Sequence, residues 1–200
     1  KFFRIKADNW DTELPIVGKY AVGMTFIPRD EQVSNTCEKI IEKCVEDERM
    51  ELFQWRAVPI NSSKIGILAN QSRQQIKQFF VQPTFEVSES DFEIKLYVLR
   101  RVIEKAVAEA ISSESEEDFY ICSLSSNKIV YKGLVMAHQL EDFYKDLGDS
   151  NFQSSFSLVH SRFSTNTLGT WKLAHPYRFA IHNGEINTHR GNVNWMSSRE

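Results

Sequence analysis

An apolar stripe that holds helical phase between residues 90 and 111 constrains this chain more than any other feature. Phe92, Leu96, Leu99, Val102, Ile103, Ala106, Val107 and Ala110 recur at three- and four-residue spacing, which predicts one helix of about six turns. The opposite face of that helix is well charged. Three earlier segments read as strands. Tyr20 to Pro28 reads as a buried strand stopped by its proline, Leu52 to Ile60 as a second strand ending at Asn61-Ser62-Ser63, and Gln75 to Val81 as a third. Between the first two, Cys37, Ile40, Ile41, Cys44 and Val45 share one helical face, opposite Glu38, Glu42, Lys43 and Glu46. Both cysteines are thereby assigned to a core stripe.

The second half is less regular. A solvated acidic run, Glu114 to Asp118, precedes Phe119 to Leu124 and Ile129 to Tyr131, which read as a hairpin over Ser125-Ser126-Asn127. Leu134 to Leu147 reads as a short amphipathic helix, and Ser155 to Arg162 and Tyr177 to His182 as two further strands. Helices and strands therefore come in blocks, without the alternating beat of a doubly wound sheet. With 200 residues and 42% apolar content, one domain with a substantial core is expected.

Charge excludes some partners. The 24 basic residues against 27 acidic ones leave a net −3, which favours neither nucleic acid nor an anionic membrane. No window approaches the roughly 20 apolar residues of a spanning helix, and Lys1-Phe2-Phe3-Arg4 lacks the apolar run of a signal peptide. Three cysteines among apolar neighbours suit a reducing compartment, so a cytoplasmic location is expected. The chain opens on Lys1 within what reads as the end of a helix, and Asn194 to Glu200 is a helical pattern with no stop signal. A piece of a longer protein is the expectation.

Polar residues crowd the ends of the two late strands, where they are costly unless they face a ligand or one another. His160-Ser161-Arg162-Phe163-Ser164-Thr165-Asn166-Thr167 follows the first and His182-Asn183-Gly184-Glu185-Ile186-Asn187-Thr188 the second. Asn183 and the unobstructed N–H of Gly184 could converge on one oxygen as an oxyanion hole, although Asn-Gly is equally a tight-turn pair. Arg162 could clamp a carboxylate bidentately with Thr165 adding a hydroxyl, or pair with a structural carboxylate. Phe163 could wall a pocket or belong to the core, and Asn166 lies in the same polar cluster. His160 and Ser161, adjacent on a strand, point apart and cannot act as nucleophile and base. His160, His175, His182 and His189 have no metal-ligand spacing, the three cysteines match no iron–sulfur pattern, and no glycine-rich phosphate loop is present. Asn61-Ser62-Ser63 and Asn70-Gln71-Ser72 fit the glycosylation sequon, which has no meaning in a cytoplasmic protein.

Together these two motifs, followed by Arg190-Gly191-Asn192-Val193-Asn194-Trp195, closely resemble the class II glutamine amidotransferases and, within them, the amidotransferase domain of glutamate synthases. The resemblance extends to Phe119 through Ser126 and Val130-Tyr131-Lys132-Gly133, and takes in the stretch from Lys1. It implies an α+β fold of the N-terminal-nucleophile hydrolase type, a four-layer αββα sandwich of two mainly antiparallel sheets, with residues 1–200 as one part of that domain, incomplete at both ends. It also implies hydrolysis of glutamine to glutamate and ammonia, the ammonia passing through a tunnel to a second site. The nucleophile would be an N-terminal cysteine whose own α-amine acts as base, and an α-amine with a pKa of roughly 7.7 to 8.0 suits that task. Arg162 and Thr165 would hold the substrate carboxylate, and Asn183 and Gly184 the oxyanion.

Position 1 is lysine, so the nucleophile, like the acidic residue that holds the substrate amine, is expected outside these 200 residues, and the chain alone is expected to be inactive. The implied partners are glutamine and the remaining domains of a parent synthase. FMN and an iron–sulfur cluster would belong to those later domains, none to this chain. Two alternatives remain at this point: a non-catalytic module that keeps the architecture for ligand sensing or subunit contact, and a sister amidotransferase serving amino-sugar, purine or asparagine synthesis. The Gly191 to Trp195 extension speaks against the latter.

Overall fold

The strand read at Tyr20 becomes β1, Ala21–Ile27, and all seven of its residues are buried. A strand buried on both faces has to be central, and in the computed structural model, which describes residues 2–10, 12–111, 119–163, 168–182 and 188–199, it is. β2 spans Met50–Ala57, β3 Gln75–Pro83 and β4 Tyr120–Ser125. They form a four-stranded sheet of order β2-β3-β1-β4, antiparallel throughout.

The helices are α1 (Phe2–Lys6), α2 (Glu31–Asp47), α3 (Ile67–Gln71), α4 (Glu89–Ala110), α5 (Leu140–Phe143) and α6 (His189–Ser197). The two long ones start on side-chain caps: Asp30 accepts from the N–H of Val33 and Ser88 from that of Asp91. Their stripes cover one face of the sheet. Cys37, Ile41 and Val45 of α2 and Phe92, Leu96, Leu99, Ile103 and Val107 of α4 meet Ala21, Ile27, Phe79, Val81, Ile121 and Leu124.

Two irregularities keep that face apolar. The β1–β4 register slips between Met24 and Thr25, so that Ile121 and Leu124, three apart, both reach the helix side; without the slip one of them would be carried to the other face. Gly23 lies opposite Phe79, and a β-carbon there would fall inside its ring. The phenyl group crosses over the β1 backbone, and only glycine leaves room for it.

The opposite face carries Met24, Phe26, Ile76 and Cys122, packed against Tyr131, Phe143, Tyr144 and Trp171. Here the chain departs from the sequence reading. Ile129 to Tyr131 does not pair as a strand, because the N–H of Val130 donates to the Ser123 hydroxyl at 3.1 Å instead of to a ladder carbonyl. The helix expected over Leu134 to Leu147 is only a 3₁₀ turn at Ala137–Gln139 followed by α5. Asn61 N–H donates to Phe143 O and Lys145 N–H to Pro59 O, so the backbone there pairs with residues 59–61 and cannot continue a helix.

Ser155 to Arg162 and Tyr177 to His182 are likewise irregular, not strands. No described segment offers them a ladder, and Phe156, Val159 and Phe179 are exposed. The closing helical pattern belongs to α6, which begins at His189 on a Thr188 cap and stops at Ser198. The acidic run read as a loop at 114–118 lies outside the described residues.

Candidate functional site

Trp171 fixes where the two motif segments leave the packed body. Its ring is 1% exposed, its indole N–H donates to Ala69 O at 3.0 Å, and it lies so close over Gly133 that a β-carbon there would enter the ring. The chain beyond it is held by two cations. Lys132, 2% exposed, donates its ammonium to Lys172 O at 2.7 Å and Ala174 O at 2.9 Å, and sits 4.3 Å from the centroid of the Tyr120 ring. Burial, reinforced by nearby Arg178, pushes its pKa down to about 8. Arg178 in turn donates from Nε to Ile121 O at 3.0 Å and from Nη2 to Glu104 Oε1 at 2.9 Å. A segment without regular structure is thus tied to the Lys132 ammonium and, through Arg178, to β4 and α4.

The same segment carries His175, whose imidazole stacks on His160 at 4.2 Å between centroids and 18° between planes. His182 meets His175 edge-on at 5.7 Å and Tyr177 lies 4.5 Å away. The second contact of His160 matters more. Its Nε2 lies 2.9 Å from His182 O and its Nδ1 3.3 Å from Arg162 N. A carbonyl only accepts and a backbone N–H only donates, so this arrangement requires the neutral tautomer with hydrogen on Nε2. One imidazole therefore joins the residue before Asn183 to the backbone of Arg162.

Of the residues singled out from the sequence, Arg162 and Phe163 are described. Arg162 is exposed, and no described carboxylate pairs with its guanidinium; Phe163 is half-buried near Gly169. Thr165, Asn166, Asn183 and Gly184 lie outside the described residues. The sequence offers the histidines only as metal ligands or, for His160, as half of a catalytic pair, and both readings fail on spacing or direction. Their ring stacking left no signal in spacing, because the three come from separate segments.

The cysteines divide between faces: Cys37 and Cys44 under α2, Cys122 on the far side of β4. Burial, with Glu38 adding, pushes the Cys37 thiol up to about 11, and burial pushes Cys122 up to about 12. Cys44 is raised by burial and neighbouring carboxylates. Thiols so poorly ionised do not make nucleophiles, and on opposite faces of a sheet they do not form a cluster ligand set. An open groove of about 510 Å³, lined by Leu68, Ala69, Gln71, Ser72, Leu134 and Gly169, contains no ionisable side chain and is not placed for chemistry. No helix among the described residues is long and apolar enough to cross a membrane.

Comparison with known proteins agrees with the motif reading along the whole chain. The chain is 46% identical over its full length to the large chain of NADPH glutamate synthase from Bacillus subtilis, covering 13% of that protein. It is 48% identical over 91% of its length to the corresponding chain of Azospirillum brasilense, covering 12% of it. Against the chloroplastic ferredoxin-dependent glutamate synthase of rice the figures are 43% identity over 90% of the chain and 11% of the relative. It thus spans only about an eighth of the length of these relatives. Residues 1–200 also match the glutamine amidotransferases class-II family as a whole, and the chain belongs to that family.

Proposed function

We propose that this chain forms part of the glutaminase domain of a glutamate synthase, a four-layer αββα domain in which water and glutamine yield glutamate and ammonia. Arg162 binds the α-carboxylate of glutamine, with Thr165, Asn166 and Phe163 completing the grip. Asn183 and Gly184 donate to the oxygen that becomes negative when the side-chain amide is attacked, a task worth about 2.7–4 kcal/mol per donor in comparable hydrolases. A cysteine thiolate displaces ammonia to give a thioester, and water then releases glutamate. None of Cys37, Cys44 and Cys122 suits that step, so the nucleophile is a cysteine outside this chain, and these 200 residues alone do not hydrolyse glutamine. The ammonia serves amination of 2-oxoglutarate in the parent, whose FMN and iron–sulfur cluster sit in other domains.

The observation that carries this reading is the His160–His182 contact at 2.9 Å, which brings the flanks of the two motifs to one place. The test is glutamine hydrolysis by the intact polypeptide carrying this chain, with and without Arg162→Ala. Losing a charged hydrogen-bonding clamp costs about 1.5–3 kcal/mol, or roughly 10- to 150-fold in kcat/KM. A change within about twofold would overturn the assignment of Arg162. An intact protein that binds glutamine but never releases ammonia would instead be the sensing module.

A further inference from the structure

We infer that His160 and His175 form a clasp of two stacked imidazoles that holds the Arg162 arm against the His182 arm, making both positioning residues for the glutamine grip. His160 supplies the direct tie, through Nε2 to His182 O and Nδ1 to Arg162 N. A ring held only at its two nitrogens can still tilt. His175 prevents that by lying flat against it, and His175 is itself fixed because the carbonyls of Lys172 and Ala174, on either side of Leu173, are held by the buried ammonium of Lys132. The chain of support therefore runs from the Tyr120 ring on β4, through Lys132 and His175, to His160 and the backbone of Arg162.

The geometry of His175 points to stacking: its ring lies flat on that of His160, 4.2 Å between centroids and 18° between planes, and its Nδ1 makes no hydrogen bond to the described residues. The groups facing it are His160, His182, Tyr177 and Lys132, three of them cationic or able to become so, and burial together with these neighbours lowers its pKa. The clasp is thus built for neutral rings. Protonation of His160 would in addition convert Nδ1 from acceptor to donor and set it against the Arg162 N–H.

The effect on the reaction rests on the glutaminase reading, whereas the effect on the arms does not, and the experiment separates them. In the intact polypeptide, amide hydrogen exchange of peptides covering 156–163 and 177–182 is compared for wild type, His175→Ala and His175→Phe, alongside KM and kcat for glutamine. His175→Ala is expected to accelerate exchange in both arms at least about tenfold while β1 and β3 stay protected, and to raise KM more than it lowers kcat, with kcat/KM down about 10- to 100-fold. His175→Phe, which keeps a flat ring, is expected to return exchange and KM to within about threefold of wild type. Unchanged exchange in His175→Ala overturns the clasp. Faster exchange with an unaltered KM overturns the positioning role, as does a phenylalanine variant no better than alanine. Should the wild type hydrolyse no glutamine, the glutaminase reading fails and exchange alone decides the clasp.

Discussion

The helix-covered face of the sheet and the two motif arms are written in similar sequence, short apolar runs closing on polar residues, yet they reach opposite ends. Phe79, Leu96 and Leu99 are fully buried, whereas Phe156 and Phe179 are 74% and 70% exposed. On the helix face each apolar side chain finds a partner supplied by the same chain, α2 and α4 above the sheet and neighbouring strands within it. The arms are held by point contacts instead: one buried indole, two cations and a stack of imidazoles. The first region carries stability and the second, in the proposed function, carries recognition, and substitutions should separate them.

The sharpest separation comes from Phe79→Ala. Removing a phenyl group that fills the space over Gly23 and contacts both helices' layer is expected to cost about 3–5 kcal/mol of unfolding free energy, measured by denaturant unfolding of the transition that reports this domain. Phe156→Ala, on an arm, is expected to stay within about 0.5 kcal/mol. Equal losses would break the comparison.

The underside of the sheet offers an intermediate case. Arg56 grips Asp146 with two hydrogen bonds at 2.7 and 2.6 Å, Gln78 accepts from the same guanidinium at 2.8 Å, and the Tyr131 hydroxyl donates to Asp146 at 2.8 Å. Gln78 donates back to that hydroxyl at 3.2 Å, closing the ring. Burial and the Asp146 charge push the Tyr131 phenol up, which keeps it a donor. Asp146→Ala strands a guanidinium 11% exposed and is expected to cost about 3 kcal/mol. Arg56→Met in the same background should recover part of that loss, because the uncompensated charge goes with it. If the double variant is no better than the single one, the network is stabilised by its geometry and not by charge pairing.

How far this division could be read from the sequence follows from the same physics. β1, β3, α2 and α4 are legible because their periodicity is local and both covering layers lie within the chain: Phe92, Leu96, Leu99, Ile103 and Val107 and the Cys37 to Val45 stripe meet the sheet as expected, while Val102 and Ala110, read into the same stripe, lie at its exposed margin. The helix read at Leu134 to Leu147 fails because Phe143 and Lys145 pair with residues 59–61, a long-range contact that periodicity does not register. The strands read at 155–162 and 177–182 fail for a related reason: β character is realised only with a ladder partner, and none lies among the described residues. At the candidate site, Arg162 stands out in the sequence by its position beside a polar cluster, and its role there is the proposed one. Lys132 carries no local signal beyond its place in Val130-Tyr131-Lys132-Gly133, because the carbonyls that hold its ammonium, those of Lys172 and Ala174, are 40 and 42 residues away. His175 has no local signature, since its worth lies in rings contributed by two other segments.

The finest test of the comparison is pH, because the arms contain titratable rings where the helix face has hydrocarbon. Burial is the main reason His175 resists protonation, with His160, His182 and Lys132 adding repulsion, so its pKa in the folded protein lies below the ordinary 6.5. The unfolded chain then binds more protons than the folded one in the interval between the two values. Folded stability therefore falls as pH drops below about 6.5 and levels off once the folded value has been passed. Above that interval the ring is neutral in both states and contributes no dependence. The cost of forcing a cation onto the stack is local to one ring, so it is smaller than the loss of Phe79 or Asp146. His175→Phe abolishes it. Comparing melting temperature at about pH 7.5 and about pH 5.5, wild type is expected to lose more on acidification than the phenylalanine variant, with their difference vanishing at the higher pH. Equal acid losses in both proteins would mean that His175 titrates as it does in the unfolded chain, and that the stacked rings tolerate a charge which the packed face of the sheet would not.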